Sequence, residues 1–368
     1  MGVEKLSHEV EGQVLGHTIY DEMGQVLLRR GVVLTESYIR RLQSRGYMSV
    51  HIQNQLAPEI EVEDAIDAQT RAQAVQTIES FSRSMAQARA PDVEQVTEVV
   101  DTILDQLLID SEVVLNLNSI KTIDSYTFEH SVNVCVLSLI LGRHLTSKRS
   151  ELKELGAAAL LHDIGKLSIP LEILLKPGPL TEGEYAIVKN HSMAGYNMLK
   201  ELFFDSWIPT IALEHHERLD GTGYPRGLTR GTLSRWGQVV GMVDVYDAVT
   251  SDRIYRTKKR PHEGMMLLRR LSDQEFDSEL VGLLSHSIAH YPVGSILVLS
   301  NGKVGVVSRQ DERAADRPIV RVVATQSGEV FRHTYDRSLA EHPEMAIIEV
   351  LDDYPPMVKL ELSLRYQR

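Results

Sequence analysis

Apolar residues recur along this chain with two periods, and the places where the period changes divide it. In residues 1–54 apolar and polar positions alternate over short stretches, Gln13-Val14-Leu15 and Val26-Leu27-Leu28, with the turn-forming Asp21-Glu22-Met23-Gly24 between them. A helical pattern follows from Thr35 to Arg45, so a small β-rich module closed by one helix is expected. Over 55–118 the period is helical: Ile78, Phe81 and Met85, then Val96, Val99, Val100, Ile103 and Leu107, broken at Ala90-Pro91. Residues 119–290 read as mostly helical. After Tyr291-Pro292 the text turns to β-branched runs, Ser295 to Leu299, Lys303 to Val307, Ile319 to Ala324 and Ala346 to Val350. Asn301-Gly302, Asp311 to Arg317 and Ser327-Gly328 separate those runs. The expectation is a mainly α chain: a helical bundle at 119–290, an acidic helical linker at 55–118, a β-rich regulatory module at 1–54 and a β-rich, barrel-like module at 291–368.

Composition narrows the function classes. The 368 residues are 43% hydrophobic and 24% charged, as in an ordinary globular protein with more than one domain. Net charge is -12, from 51 acidic and 39 basic residues, which argues against a broad surface for nucleic-acid polymers. An anionic small molecule would have to be met by local cations. Between 51 and 118 there are 13 acidic and 3 basic residues, a solvated face or a signalling linker; dimerisation through these helices is a further expectation. Cys135, the one cysteine, lies in an apolar run and reads as a buried thiol. The first ten residues carry Glu4, His8 and Glu9 rather than an apolar core, and no stretch approaches the roughly 18 apolar residues that span a bilayer. A cytoplasmic protein without membrane contact is expected.

Candidate chemistry lies in the helical region. Leu152, Leu155, Ala158, Leu160 and Leu161 form a buried helix that stops near Gly165, which puts His162 and Asp163 in its last turn, facing a cavity. Neighbours on a helix point about 100° apart, so both serve one site only at a helix end or between two metals. His215 and His216 close a helix that starts near Ile208, just before the glycine-rich turn Asp220 to Gly227. His191 lies within a helix that starts after Thr181, where Thr181 and Glu184 make a capping box. Asp244 falls among Val240, Met242, Val243 and Val245, where a lone carboxylate costs several kcal/mol unless paired or metal-bound. His130 stands at the mouth of another apolar helix. An apolar core has no use for five histidines and two aspartates, so they point to metal binding.

Three separated stretches carry a resemblance: His162-Asp163-Ile164-Gly165-Lys166, Leu175-Lys176-Pro177-Gly178, and His215-His216-Glu217-Arg218-Leu219-Asp220-Gly221-Thr222-Gly223-Tyr224-Pro225. With Asp244-Val245-Tyr246-Asp247-Ala248 and Ser251-Asp252-Arg253, they resemble the HD-GYP family, a bacterial subgroup of the HD phosphohydrolases that hydrolyses cyclic di-GMP. The resemblance covers about residues 120–285. It implies an HD-type bundle with two divalent ions, iron or alternatively manganese. One ion would take His130, His162, Asp163 and Asp244; the other would share Asp163 and take His191, His215 and His216. Some members hold a third ion with a glutamate one turn before the first histidine; Tyr126 stands there and Glu129 is on another face, so two are expected. Lys166 matches a contact to the scissile phosphate and a catalytic role beside Asp163, while Arg253 and Arg256 match phosphate and guanine contacts. Gly223, Tyr224 and Pro225 would shape the substrate site and engage partner signalling proteins. Tyr224, with an ordinary pKa of about 10, suits stacking or hydrogen bonding rather than acid catalysis.

The expected activity is hydrolysis of cyclic di-GMP to pGpG, with the further step to GMP left open by the sequence. Two alternatives use the same residues: a phosphodiesterase for another ring such as cyclic GMP-AMP, and a low-turnover cyclic di-GMP sensor.

Overall fold

A computed structural model describes residues 2–21, 23–61, 64–109, 126–203, 205–251 and 259–366. The amino-terminal module pairs β1 (Gly2–Lys5) with β4 (Ser49–Ile52) and β2 (Ile19–Tyr20) with β3 (Val26–Leu28), all antiparallel, around α1 (Glu36–Gln43). The turn expected between β2 and β3 is present: Asp21 Oδ1 accepts from the amides of Met23 and Gln25. Val14 and Leu15 form only isolated bridges, and the outer pair β1/β4 was not foreseen.

Two long helices follow, α2 (Ala68–Ala86) and α3 (Val93–Ile109), broken near Ala90-Pro91 as expected. Ile78, Phe81, Val96, Val99, Val100, Ile103 and Leu107 are buried in one continuous core with the helices that come after them. The apolar face of this pair packs inside its own chain, against the neighbouring helices.

The bundle continues with α4 (Tyr126–Gly142), α5 (Arg149–Leu161), α6 (Leu171–Leu174), α7 (Glu182–Lys189), α8 (His191–Leu199), α9 (Ile208–Glu214), α10 (Arg235–Thr250), α11 (Pro261–Leu271) and α12 (Ser278–Ser287). Helix α4 is buried on all sides from Val132 to Leu141, with Asn133 and Ser138 the polar exceptions to an apolar run, and such a helix must lie at the centre: it packs against α5, α10, α2 and α12. Cys135 is buried within it.

The carboxyl-terminal module is a five-stranded antiparallel sheet in the order β8-β7-β6-β5-β9, with β5 (Ile296–Leu299), β6 (Lys303–Arg309), β7 (Ile319–Thr325), β8 (Val330–Ser338) and β9 (Ile347–Leu351). The barrel-like closure expected from the sequence is not there, because the edge strands β8 and β9 do not pair. One face of the sheet, with Ile296, Val304 and Val306, is covered by Tyr354 and Val358 and by Ala57 and Ile60. Val358 belongs to α13 (Pro356–Tyr366), a helix the alternation did not announce. A sheet whose apolar face is covered by other elements gains nothing by curling onto itself. Among the described residues no helix is long and apolar enough to cross a membrane.

Candidate metal centre

Helix ends assemble the site. His162 is the C-cap of α5, Asp163 follows it, and the chain turns into a 3-10 helix, Ile164–Ser168. His215 is the C-cap of α9, with His216 next. His191 departs from expectation: the helix begun at Thr181, whose capping box with Glu184 is present, ends at Asn190, and His191 opens α8. Asp244 lies inside α10 and His130 in the first turns of α4. Gly165 allows the 3-10 turn to close against α8, which brings the α5 end and His191 together.

All seven expected ligands converge, and the two oxygens of Asp163 face different partners. Oδ2 lies 3.4 Å from His162 Nε2 and 4.0 Å from His130 Nε2. Oδ1 lies 3.5 Å from His191 Nε2 and 3.7 Å from His215 Nε2. Asp244 is split the same way, with Oδ1 3.1 Å from His130 Nε2 and 3.9 Å from His162 Nε2, and Oδ2 4.0 Å from His216 Nδ1. Two groups with ligand spacing result: His130, His162 and Asp163, and Asp163, His191, His215 and His216.

These residues fit a divalent metal on their own geometry. His162 Nε2 is fully buried with no hydrogen-bond partner among the described residues, although its Nδ1 meets Ala159 O at 2.7 Å. A buried polar atom left without a partner is costly, and a cation accepted by neutral imidazoles and carboxylates removes that cost. His191 Nδ1 and His215 Nδ1 likewise meet the carbonyls of Val188 and Ala212, which turns Nε2 of each into the site.

The electrostatics separate the two sides. Burial works against the charged form of His130, but its hydrogen bonds to Asp244 and Asp247 outweigh burial and raise its pKa to about 9. On the other side burial lowers His191 and His215, and holds His216 down at about 3. Burial alone would raise Asp163 and Asp244, yet Lys166 and His162 keep Asp163, and His130 keeps Asp244, well below the usual carboxylate range. Lys166 sits in the 3-10 turn, and its Nζ bonds Asp163 Oδ2, so a cation already lies beside the shared carboxylate.

The loop after α9 covers one wall. Tyr224 stacks on His216, ring centroids 4.7 Å apart at 27°, and its amide donates to the His216 carbonyl. Burial raises the Tyr224 phenol, so it stays protonated. Glu217, for which the sequence pattern suggests no role, organises the loop: its carboxylate accepts from the amides of Arg226 at 2.7 Å and Leu228 at 2.8 Å. Glu217→Ala is expected to free those two amides and speed their hydrogen exchange at least about tenfold, since a bond to a charged acceptor contributes about 1.5–3 kcal/mol. Metal content should stay at the wild-type level, and mass-spectrometric exchange with elemental analysis checks both.

Arg253 and Arg256 lie outside the described residues, as does the side chain of Tyr126. Glu129 turns away from the cluster to Arg71, 3.4 Å distant.

The family model for the HD domain matches residues 106–280, which contain every one of the seven convergent residues. The chain carries an HD domain. Its HD pair is His162-Asp163 and its GYP triplet is Gly223-Tyr224-Pro225. The chain is 36% identical over 270 residues to the cyclic di-GMP phosphodiesterase PA4108 of Pseudomonas aeruginosa, covering 73% of this chain and 64% of that protein. It is 29% identical over 219 residues to the cyclic di-GMP phosphodiesterase PdeB of Borreliella burgdorferi, covering 60% and 58%. To the 3'3'-cGAMP-specific phosphodiesterase 1 of Vibrio cholerae it is 38% identical over 169 residues, covering 44% and 39%. The chain thus spans less than two thirds of the length of each of these relatives.

Proposed function

We propose that this HD-GYP domain hydrolyses cyclic di-GMP to pGpG, with two divalent ions, iron or alternatively manganese, held by His130, His162, Asp163 and Asp244 on one side and Asp163, His191, His215 and His216 on the other. The observation that carries the proposal is the split of Asp163, one oxygen toward each histidine group. Ions bound there supply Lewis acidity and lower the pKa of water to near neutral, the chemistry a phosphodiester needs.

The chain's own residues do the rest. Lys166 offers its ammonium to a non-bridging phosphate oxygen, at a point where it already balances Asp163. Buried imidazoles on apolar walls exclude bulk solvent, which strengthens every charge interaction inside. Tyr224, flat against His216, fixes that ring and presents an edge to the dinucleotide. Arg253 and Arg256 are proposed to receive the second phosphate and a guanine, and the Gly223-Tyr224-Pro225 loop to meet partner proteins.

Protein purified without air and loaded with iron, or with manganese, should open cyclic di-GMP, followed by chromatography of the product. Failure with both metals at full occupancy would refute the activity. The cyclic GMP-AMP alternative draws support from the Vibrio relative. Competition between the two rings at equal concentration decides it, and preference for the mixed ring would replace the substrate while leaving the chemistry.

Metal uptake should depend on pH on one side only. In the metal-free protein His130 carries a proton up to about pH 9, so binding there must expel it. Apparent affinity on the His130 side should therefore fall about tenfold per unit as pH drops below that value. His216, with a pKa of about 3, has no proton to lose. Manganese titrations between about pH 6 and 9 should show one affinity that moves and one that does not. Two affinities that move together, or neither, would contradict the assignment.

A further inference from the structure

Three of the ligand histidines are aimed by their own backbone, but His130 is aimed by side chains. Its Nδ1 meets Asp247 Oδ2 at 2.7 Å. The other oxygen of Asp247 accepts from Asn133 Nδ2 at 2.9 Å and from Ser251 Oγ at 2.9 Å. Asn133 Oδ1 in turn accepts from Arg71 Nη1 at 2.8 Å. Arg71 is 8% exposed and Asn133 and Asp247 are 4% each, so the whole chain of bonds is shielded from water. Arg71 is in the first turns of α2, outside the residues that the HD model matches.

The polarity of these bonds is dictated from the far end. A guanidinium only donates, so Arg71 fixes the Asn133 amide with its oxygen toward α2 and its NH2 toward Asp247. Asp247 Oδ1 then receives donors, and Oδ2 faces Nδ1 of His130 and accepts its proton. With that proton placed, the Nε2 lone pair points at the metal centre.

We propose that Asp247, Asn133 and Arg71 are positioning residues for His130, and that through Arg71 the seating of α2 sets the affinity of the metal site that His130 serves. This rests on the reading of His130 as a ligand. The turn of the amino-terminal module rests on the same end of α2: a Cβ added at Gly24 would stand 3.0 Å from Gln69 Cα. The chain of bonds therefore begins where that module is seated.

The test is a manganese titration of the full chain at fixed pH, read as two dissociation constants, with thermal unfolding of the metal-free form alongside. Asp247→Ala should weaken one site by about 10–100-fold and Arg71→Met by about tenfold, as losses behind a ligand do, and leave the other site unchanged. Arg71→Lys, which still donates to Asn133, should recover most of the affinity. If Arg71→Met does not fold, Asn133→Ser breaks the same link without removing a charge and should show the same weakening. Lower metal-free stability with both constants at their wild-type values would make the chain merely structural and overturn the proposal. His130→Ala separates the two readings. If it changes neither constant, the ligand assignment itself fails; if it removes a site while Asp247→Ala and Arg71→Met bind normally, only the positioning chain fails.

Discussion

Asp163→Asn is expected to lower phosphodiester turnover by more than about 100-fold and to cut metal content below that of the wild type. Losses one shell further out already cost about 10–100-fold, and this carboxylate is shared by both sides. Asparagine has the same shape, so the packing at the end of α5 survives. What changes is chemistry: one oxygen becomes an NH2, which cannot ligate and which points a donor at either His162 and His130 or His191 and His215. The salt bridge from Lys166 loses its charge at the same time. Elemental analysis, turnover of cyclic di-GMP and unfolding of the metal-free protein are the three measurements. Metal content and turnover near wild type would remove Asp163 from the centre of the account.

Gly165→Ala is expected to destabilise the bundle by about 3 kcal/mol, the upper end of what overpacking ordinarily costs. An added Cβ would lie 1.9 Å from the His191 carbonyl oxygen and 2.5 Å from the Gly195 amide nitrogen. Both neighbours are backbone, so neither can swing aside as a flexible side chain would. The 3-10 turn and α8 must separate, and His191 moves away from Asp163 with its helix. Urea unfolding should show the loss of stability, and the metal titration should show the histidine-rich side weakened more than the His130 side. Unfolding at the wild-type midpoint would mean that the close approach of these two elements has been misjudged.

His162-Asp163 and His215-His216 were legible because each pair stands in a short contiguous motif at a recognisable helix end, the first after a leucine-rich helix and the second before a glycine-rich turn, whereas Asp244 lies inside α10 and His191 opens a helix that the apolar period did not mark. The partners behind the ligands were not legible. Asp247 lies 117 positions from His130, and Arg71 lies 62 from Asn133, so no local pattern links them; only the packing of α10 and α2 on α4 does. Glu217 stood in plain view next to His216, yet the amides that donate to it, those of Arg226 and Leu228, become neighbours only once the loop folds back.

The break at Asn190 was missed for a related reason. The capping box marks where α7 starts, but Asn190 serves as its C-cap and also precedes α8, and apolar periodicity carries no sign of a change in axis. In the carboxyl-terminal module alternation identified four of the strands, whereas closure depends on whether distant edges meet. Tyr354 and Val358, from α13 and the residues before it, cover the sheet face instead. The acidic charge of 55–118 suggested exposed helices, and Asp92, Glu94, Glu98 and Asp105 are exposed; the apolar faces of α2 and α3 complete the core of the helical bundle.

The most direct test of the central claim is an anomalous-scattering map from crystals of protein purified without air. The account predicts two metal peaks about 3.5–4 Å apart, one on each side of the Asp163 carboxylate, with His130, His162 and Asp244 around one and His191, His215 and His216 around the other. A map with fewer than two ions at that carboxylate, or with both ions bound away from it, would contradict the account.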